Sequence, residues 1–442
     1  FENAVFTWNN YNEVTAQFLP FIELNDQSFV SISGLSSSIV NLTDSFKVGV
    51  ATDSVGLAKT MTVGAANGLI QDIHVNKIPS NVAIGGRSAL GNLTTGDNNI
   101  AIGDGAGQTM TTSGDCILIG NSAGNILEGT GVNGSIAIGH SALATHTDGV
   151  RNVAIGWEAM HDTNAGSTSQ GSNDNVFIGY SAAGGVWANA ESNGNVGIGS
   201  YVMDSALDGA LYNTAVGAYA LSAVTQADNV VAIGNSAAYS LTTASNNVAI
   251  GTNAMKVHTT GERNIAIGTN AMDDTDAGST SLGSADNIFI GNNSGGGTWA
   301  NVASIQNVVI GNNSADAALS GANYNVGMGT NVYGALTQGD ANSAFGHGSL
   351  TALTTGGSNV AVGNAAGATM TGTHYTVLIG SGAGTAINST DSNGTVAIGY
   401  QAAYGMTAST GNTYIGYQSG YNSAGVHRNN VLIGMYAGYN IG

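Results

Sequence analysis

The stretch Asn152-Val153-Ala154-Ile155-Gly156 decides the fold, because the chain says it again and again. It reads Asn81-Val82-Ala83-Ile84-Gly85 near the start and Asn264-Ile265-Ala266-Ile267-Gly268 further on. Its closing glycine recurs at 85, 103, 120, 139, 156, 179, 199, 217, 234, 251, 268, 291, 311, 329, 346, 363, 380, 399, 416 and 434, which makes twenty copies. The steps between glycines run from 17 to 23 residues, so length varies between phrases and never inside one. The phrase is therefore structural and the spacer is a loop.

Position four of the phrase is Ile in sixteen copies, and position two is Val or Ile in seventeen, with Thr214, Ser343 and Thr413 as the exceptions. Residues two apart share one face of a strand, and this apolar face is expected to build the core. Position three is Ala in eleven copies, which predicts a small opposite face that a neighbouring backbone approaches closely. Phe177, Phe289 and Tyr414 at that position would mark coils where the second surface opens. Asn begins fifteen copies and is expected to bond the turn entering the strand, while the invariant Gly supplies a conformation closed to other residues. A second small-residue run after each Gly, such as Asn121-Ser122-Ala123-Gly124, reads as a second short strand. Such a unit is too small to fold alone, but stacked units bury a continuous ladder. The prediction is an all-β parallel β-solenoid of about twenty coils, on the order of 95 Å long at one strand spacing per coil.

A longer repeat overlies the short one. The step series 17, 23, 20, 18, 17, 17 occurs twice, offset by 112 residues, and aligns His146 with His258, Arg151 with Arg263 and Trp187 with Trp299. Duplication of whole coils lengthens a fibre, whereas it adds little to a catalytic face.

Composition narrows the function classes. Of 442 residues 67 are Gly, and only 8% are charged, against about 25% in ordinary globular domains. The two Pro residues exclude collagen, and 42% hydrophobic residues argue for a packed core. A net charge of −19 would repel nucleic acid and anionic membranes, so neither is expected as a partner. The single Cys116 can form no intrachain disulfide and reads as an inert small residue at the head of its phrase. No apolar run approaches the length of a membrane span.

The phrase Asn-Val-Ala-Ile-Gly, followed two residues later by Ser or Ala, resembles the head repeat of YadA-like trimeric autotransporter adhesins, and the resemblance covers residues 81–442. It implies a left-handed parallel β-roll, assembled as a homotrimer. The spacers here are longer than in the adhesin heads and are closer to those of similar repeats in phage and algal-virus tail fibres. No coiled-coil stalk or membrane-anchor barrel accompanies them. The resemblance thus implies an extracellular, virion-surface fibre that attaches to a host glycan or protein receptor, with further fibre or baseplate proteins at its ends. A bacterial cell-surface adhesin head is the alternative.

Residues 1–80 differ in texture, holding six of the nine Phe and both Pro, with alternation such as Phe29-Val30-Ser31-Ile32-Ser33. They are expected to form a β-rich attachment or capping region. The chain opens on Phe1, so any targeting signal is expected outside it, and no cap is recognisable after Gly434. That end is expected to continue, to be cleaved or to dock on another protein.

Four features could carry chemistry or contact. Asp162, Asn164, Asp274 and Asp276 alternate oxygen ligands before a Gly, as at the start of a calcium loop, with Asp174 and Asp286 twelve residues after the first Asp. The competing reading is a solvated turn, and no other cofactor is expected. Trp187 and Trp299 follow Gly-Gly pairs and are candidates for sugar stacking or for packing between coils. Seven of sixteen Tyr lie in the last 43 residues, which makes Tyr404, Tyr417, Tyr421 and Tyr436 candidate receptor or partner contacts. His146 and His258 hold one repeat position and are expected in surface loops or at a fibre axis. Catalysis is not expected: no nucleophile elbow or phosphate loop is present. A depolymerase would need two carboxylates about 5–10 Å apart, and no pair stands out.

Overall fold

The computed structural model describes residues 59–61, 73–75 and 81–440, apart from 86–87, 128–132, 164–170, 189, 276–282, 301, 389–391, 409 and 424–426. Most of the expected N-terminal region therefore lies outside the described residues. The chain divides into a unit of Phe1–Thr60 and a unit of Met61–Gly442. The second unit is all-β, with almost no helix among its described residues.

Twenty three-residue strands, from Val82–Ile84 to Val431–Ile433, coincide with positions two to four of the twenty phrases. Each pairs with the next in parallel and in register, so that Val231, Ala232 and Ile233 lie against Val248, Ala249 and Ile250. Together they make one ladder, the parallel β-solenoid that the repeat predicts. The strand Ile73–Val75 pairs antiparallel with Val82–Ile84 and covers the first edge of the ladder.

Two expectations are corrected. The segment after each Gly is a turn and not a second strand, because its residues alternate in handedness. Ser122 and Gly124 both have φ of 57°, and Ser236 and Ala238 repeat this at 55° and 51°. The backbone still bonds coil to coil: Ser122 donates to the Asp104 carbonyl at 2.8 Å and Gly124 to Ala142 at 2.9 Å.

The faces of the strand are also reversed. Position three points inward: Ala101, Ala154, Ala232 and Ala266 are fully buried, whereas positions two and four are half-buried or exposed in every copy. A coil of about 17 residues has a narrow interior, where a strand Cβ meets side chains from its own turn. Volume is traded across that gap. Ala137, Ala154 and Ala249 share their coils with Leu143, Met160 and Met255. Where position three is Leu118, Phe289 or Tyr414, the turn residue is Gly124, Gly295 or Gly420, whose Cβ would meet the large side chain at 2.8, 2.7 and 2.3 Å. Phe177, Phe289 and Tyr414 thus fill the core and do not mark an opened surface.

The Asn at position one bonds the next coil. Asn175 Nδ2 donates to Asn152 Oδ1 at 3.2 Å, Asn195 to Asn175 at 3.2 Å and Asn213 to Asn195 at 3.0 Å. Each Oδ1 also accepts the backbone N–H of the following Asn, and the other amide hydrogen reaches a loop carbonyl, as from Asn195 to Ala210 at 2.8 Å. A second run extends from Asn264 through Asn287, Asn307, Asn325 and Asn342 to Asn359. Buried amides this fully bonded rigidify the stack.

The phrase glycines stack directly. From Gly85 to Gly416 a Cβ would lie 2.1–2.6 Å from the next coil's glycine carbonyl oxygen, and φ lies between 128° and 152°. Gly251→Ala would place its methyl 2.4 Å from the Gly268 oxygen. We expect it to cost roughly 3 kcal/mol or more, from clash plus strain. Hydrogen exchange should quicken in Val248–Ile250 and Ile265–Ile267, while Thr252→Ala, at an exposed site, leaves it unchanged.

Candidate functional site

Turning the Val and Ile side chains outward creates the largest chemical feature of the surface. Two parallel columns run the length of the ladder, one from Val82 to Val431 and one from Ile84 to Ile433. Their exposure reaches 36% at Ile100, 40% at Ile198 and 51% at Met328, and no charged side chain interrupts either column. These forty side chains, half-buried or exposed, amount to on the order of 2,000 Å² of mostly apolar area. The largest apolar patch on a typical monomer is about 300–600 Å², and a standard interface buries about 800 Å² per partner. The assignment of these residues to the core hid this ribbon. The exchange of volume between position three and the turn, in so short a coil, is the signal that could have revealed it.

The structural repeat residues Asn81, Ile84, Gly85, Asn152, Ile155, Gly156, Asn264, Ile267 and Gly268 take the equivalent places in their coils. The Asn and Gly residues hold coil to coil, and the Ile residues belong to the outward ribbon.

Aromatic columns border the ribbon on the side of the glycines. Tyr404, Tyr421 and Tyr439 stack face to face, with ring centroids 5.1 and 5.0 Å apart and planes within 8°. Tyr400 stacks on Tyr417 at 5.3 Å, and Tyr436 touches both Tyr417 and Tyr439 edge-on at 5.5 Å. The four candidate tyrosines, Tyr404, Tyr417, Tyr421 and Tyr436, therefore belong to one surface cluster, in which Tyr417 and Tyr436, with Tyr400, are exposed. A further column of Tyr180, Tyr201, Tyr219 and Tyr239 was not singled out in the sequence, because its members sit at differing offsets from the glycine. Where the rings lie parallel, as in Tyr404, Tyr421 and Tyr439, they cover one another's faces.

Trp187 and Trp299 are fully buried, which removes them from the surface. Each indole packs edge-on against Phe177 or Phe289 and donates Nε1–H to a carbonyl, Trp187 to Ala183 at 3.2 Å and Trp299 to Gly295 at 2.9 Å. They fill the interior of the 20-residue coils that follow the 23-residue spacers.

The calcium candidates are described only in part. Asn164 and Asp276 lie outside the described residues. Asp162 accepts the Trp187 N–H through its carbonyl, and the Asp274 carboxylate accepts the Thr298 hydroxyl at 2.7 Å. Asp174 and Asp286 form two-pronged ion pairs with Arg151 and Arg263, whose guanidinium groups hold both carboxyls below their ordinary values. Among the described residues no group of three His, Cys, Asp or Glu could hold a metal ion. Cys116 is buried at the head of its phrase, and burial raises its thiol.

His146 and His258 are neither in surface loops nor at an axis; both are wholly inside the coil. They occupy the place that Leu127 and Leu241 take in other coils. His146 sets Nδ1 2.9 Å from Thr163 Oγ1 and Nε2 3.1 Å from Asn152 Nδ2, and His258 repeats this with Thr275 at 2.7 Å and Asn264 at 3.2 Å. Among the described residues no helix is long and apolar enough to cross a membrane. No protein-family model matches the chain, and no curated protein or solved structure matches it.

Burial lowers His146 to about 4 from its ordinary 6.5, so the fold holds it neutral. The unfolded chain binds the extra proton between those values, and the contribution of His146 is complete above pH 6.5 and lost as pH falls towards 4. At 1.36 kcal/mol per unit the loss is roughly 3 kcal/mol. Thermal melting between about pH 7 and about pH 4.5 should show it, and His146→Leu should flatten that part of the profile.

Proposed function

We propose that this chain is one of three identical chains in a non-catalytic fibre, a left-handed β-roll that provides reach and attaches a virion to a host-surface receptor. The observation that carries this reading is the charge-free, largely apolar ribbon, joined to the resemblance of its repeat to trimeric adhesin heads. The ribbon repeats at the strand spacing over the whole ladder. A surface with the same pitch, length and chemistry is offered by another copy of the same chain. Burying it would remove far more apolar area from water than a single weak contact requires. The charge of −19 on each chain then lies outside the contact and keeps assembled fibres apart.

Attachment is assigned to the tyrosine cluster around Tyr417 and Tyr436, whose phenol edges combine apolar area with hydroxyls suited to a glycan or a protein surface. Because the stacked faces are covered, a sugar would meet ring edges and hydroxyls.

Light scattering should give the mass of three chains. Ile233→Lys with Ile250→Lys brings six ammonium groups to two successive rows of the buried contact, and should yield single chains with unchanged far-UV circular dichroism. A wild-type monomer would remove the proposal. Incubation with host polysaccharide should release no new reducing ends, and release would point to a depolymerase instead.

A further inference from the structure

A uniform ribbon poses a problem of register. If every row presented Val and Ile, one copy could slide past the next by a whole coil at little cost, as in any weakly specified strand pairing. One row breaks the uniformity in a compensating way. In the strand Ser343–Phe345, position two has lost nearly all its side chain and position four carries the largest one in either column. Met328 directly before Phe345 continues the bulge, and Val362 directly after it ends it. The bulge is open to solvent, with Phe345 38% exposed. Thr214 and Thr413 are close to Val in volume and leave the surface level, so Ser343 is the one true dip.

On the same chain Ser343 and Phe345 lie on the outward face of one strand, on either side of the buried Ala344. In a cyclic arrangement of like chains the contact is heterologous, so that column four of one copy faces column two of the next. A bulge and a dip then meet at the same height only when the copies are parallel and in register. From this we infer that Phe345 of one copy seats over Ser343 of the next, and that this row fixes the register of the assembly. A slip of one coil would press Phe345 on Val326 or Val360 and set the smaller Val362 or Met328 over Ser343, and antiparallel packing would separate the two altogether. The inference rests on the ribbon being the contact between copies, as proposed above.

The test is disulfide mapping between two differently tagged full-length chains, co-expressed in a Cys116→Ser background. One chain carries Ser343→Cys, and the other carries Phe345→Cys, Met328→Cys or Val362→Cys. A disulfide needs Cα atoms within about 4.4–6.8 Å, so the pair at 343 and 345 should cross-link under mild oxidation about tenfold faster than either pair one coil away. Circular dichroism and light scattering on each mixture show that the chains fold and associate. Faster linking of 343 to 328 or 362 would overturn the inference by showing a shifted register. Absence of all three links in an assembled multimer would also overturn it, while leaving the multimer reading intact. Wild-type chains that scatter as monomers would overturn both.

Discussion

The solenoid depends on glycine stacked on glycine: from Gly85 to Gly416 each phrase ends on a residue whose α-carbon faces the glycine carbonyl of the next coil, with no room for a methyl group. This contact holds every coil to the same distance from its neighbour, and that distance lets the three-residue strands pair in register. Close stacking in turn keeps each coil small in cross-section, because a short spacer must return the chain to the same height. A narrow coil has space for one inward side chain per strand. The two flanking β-branched residues are therefore pushed out, and the apolar ribbon is a geometric consequence of the glycine.

Polar groups follow the same stacking logic. A buried amide costs stability unless its donors and acceptor are all engaged, and the Asn column engages them with the coil above and below. Val230 interrupts the first column without leaving an orphan, since its backbone N–H still donates to Asn213 Oδ1. Thr376 closes the second by donating its hydroxyl to Asn359 Oδ1 at 2.7 Å. The paired His–Thr insertions show how far the tolerance extends. A core place held elsewhere by Leu accepts imidazole where the next coil supplies a hydroxyl and the Asn column supplies an amide.

The fold was legible because the phrase is periodic in a way that only stacking explains, and the strands fall on positions two to four throughout. What the sequence concealed was direction. Val and Ile on one face and Ala on the other ordinarily mean that the bulky face is the core, and hydrophobicity alone cannot reveal that the interior is too narrow for it. The exchange of volume between position three and the turn, Ala137 with Leu143 against Leu118 with Gly124, does carry that information. Trp187, read as either a sugar platform or packing between coils, proves to be packing, and its Gly-Gly pair passes backbone close to the next coil. A Cβ on Gly185 would lie 2.4 Å from the Asp204 carbonyl oxygen. The alternating turn conformation escaped because Ser, Asn, Tyr, Met and Gly all accept its positive φ, so no residue type marks it.

The 112-residue duplication preserves the internal parts of its block together. His146 with Thr163, Arg151 with Asp174 and Phe177 with Trp187 recur as His258 with Thr275, Arg263 with Asp286 and Phe289 with Trp299. Each pair spans two successive coils or neighbouring parts of one, so the unit that can be copied is a set of whole coils with its own interior. Because coils interact only with their neighbours, such an insertion leaves the flanking coils' contacts unchanged and adds length in proportion. It also adds ribbon in proportion, with the same outward Val and Ile columns. A solenoid built this way can grow without redesigning either its core or the surface it presents to another chain.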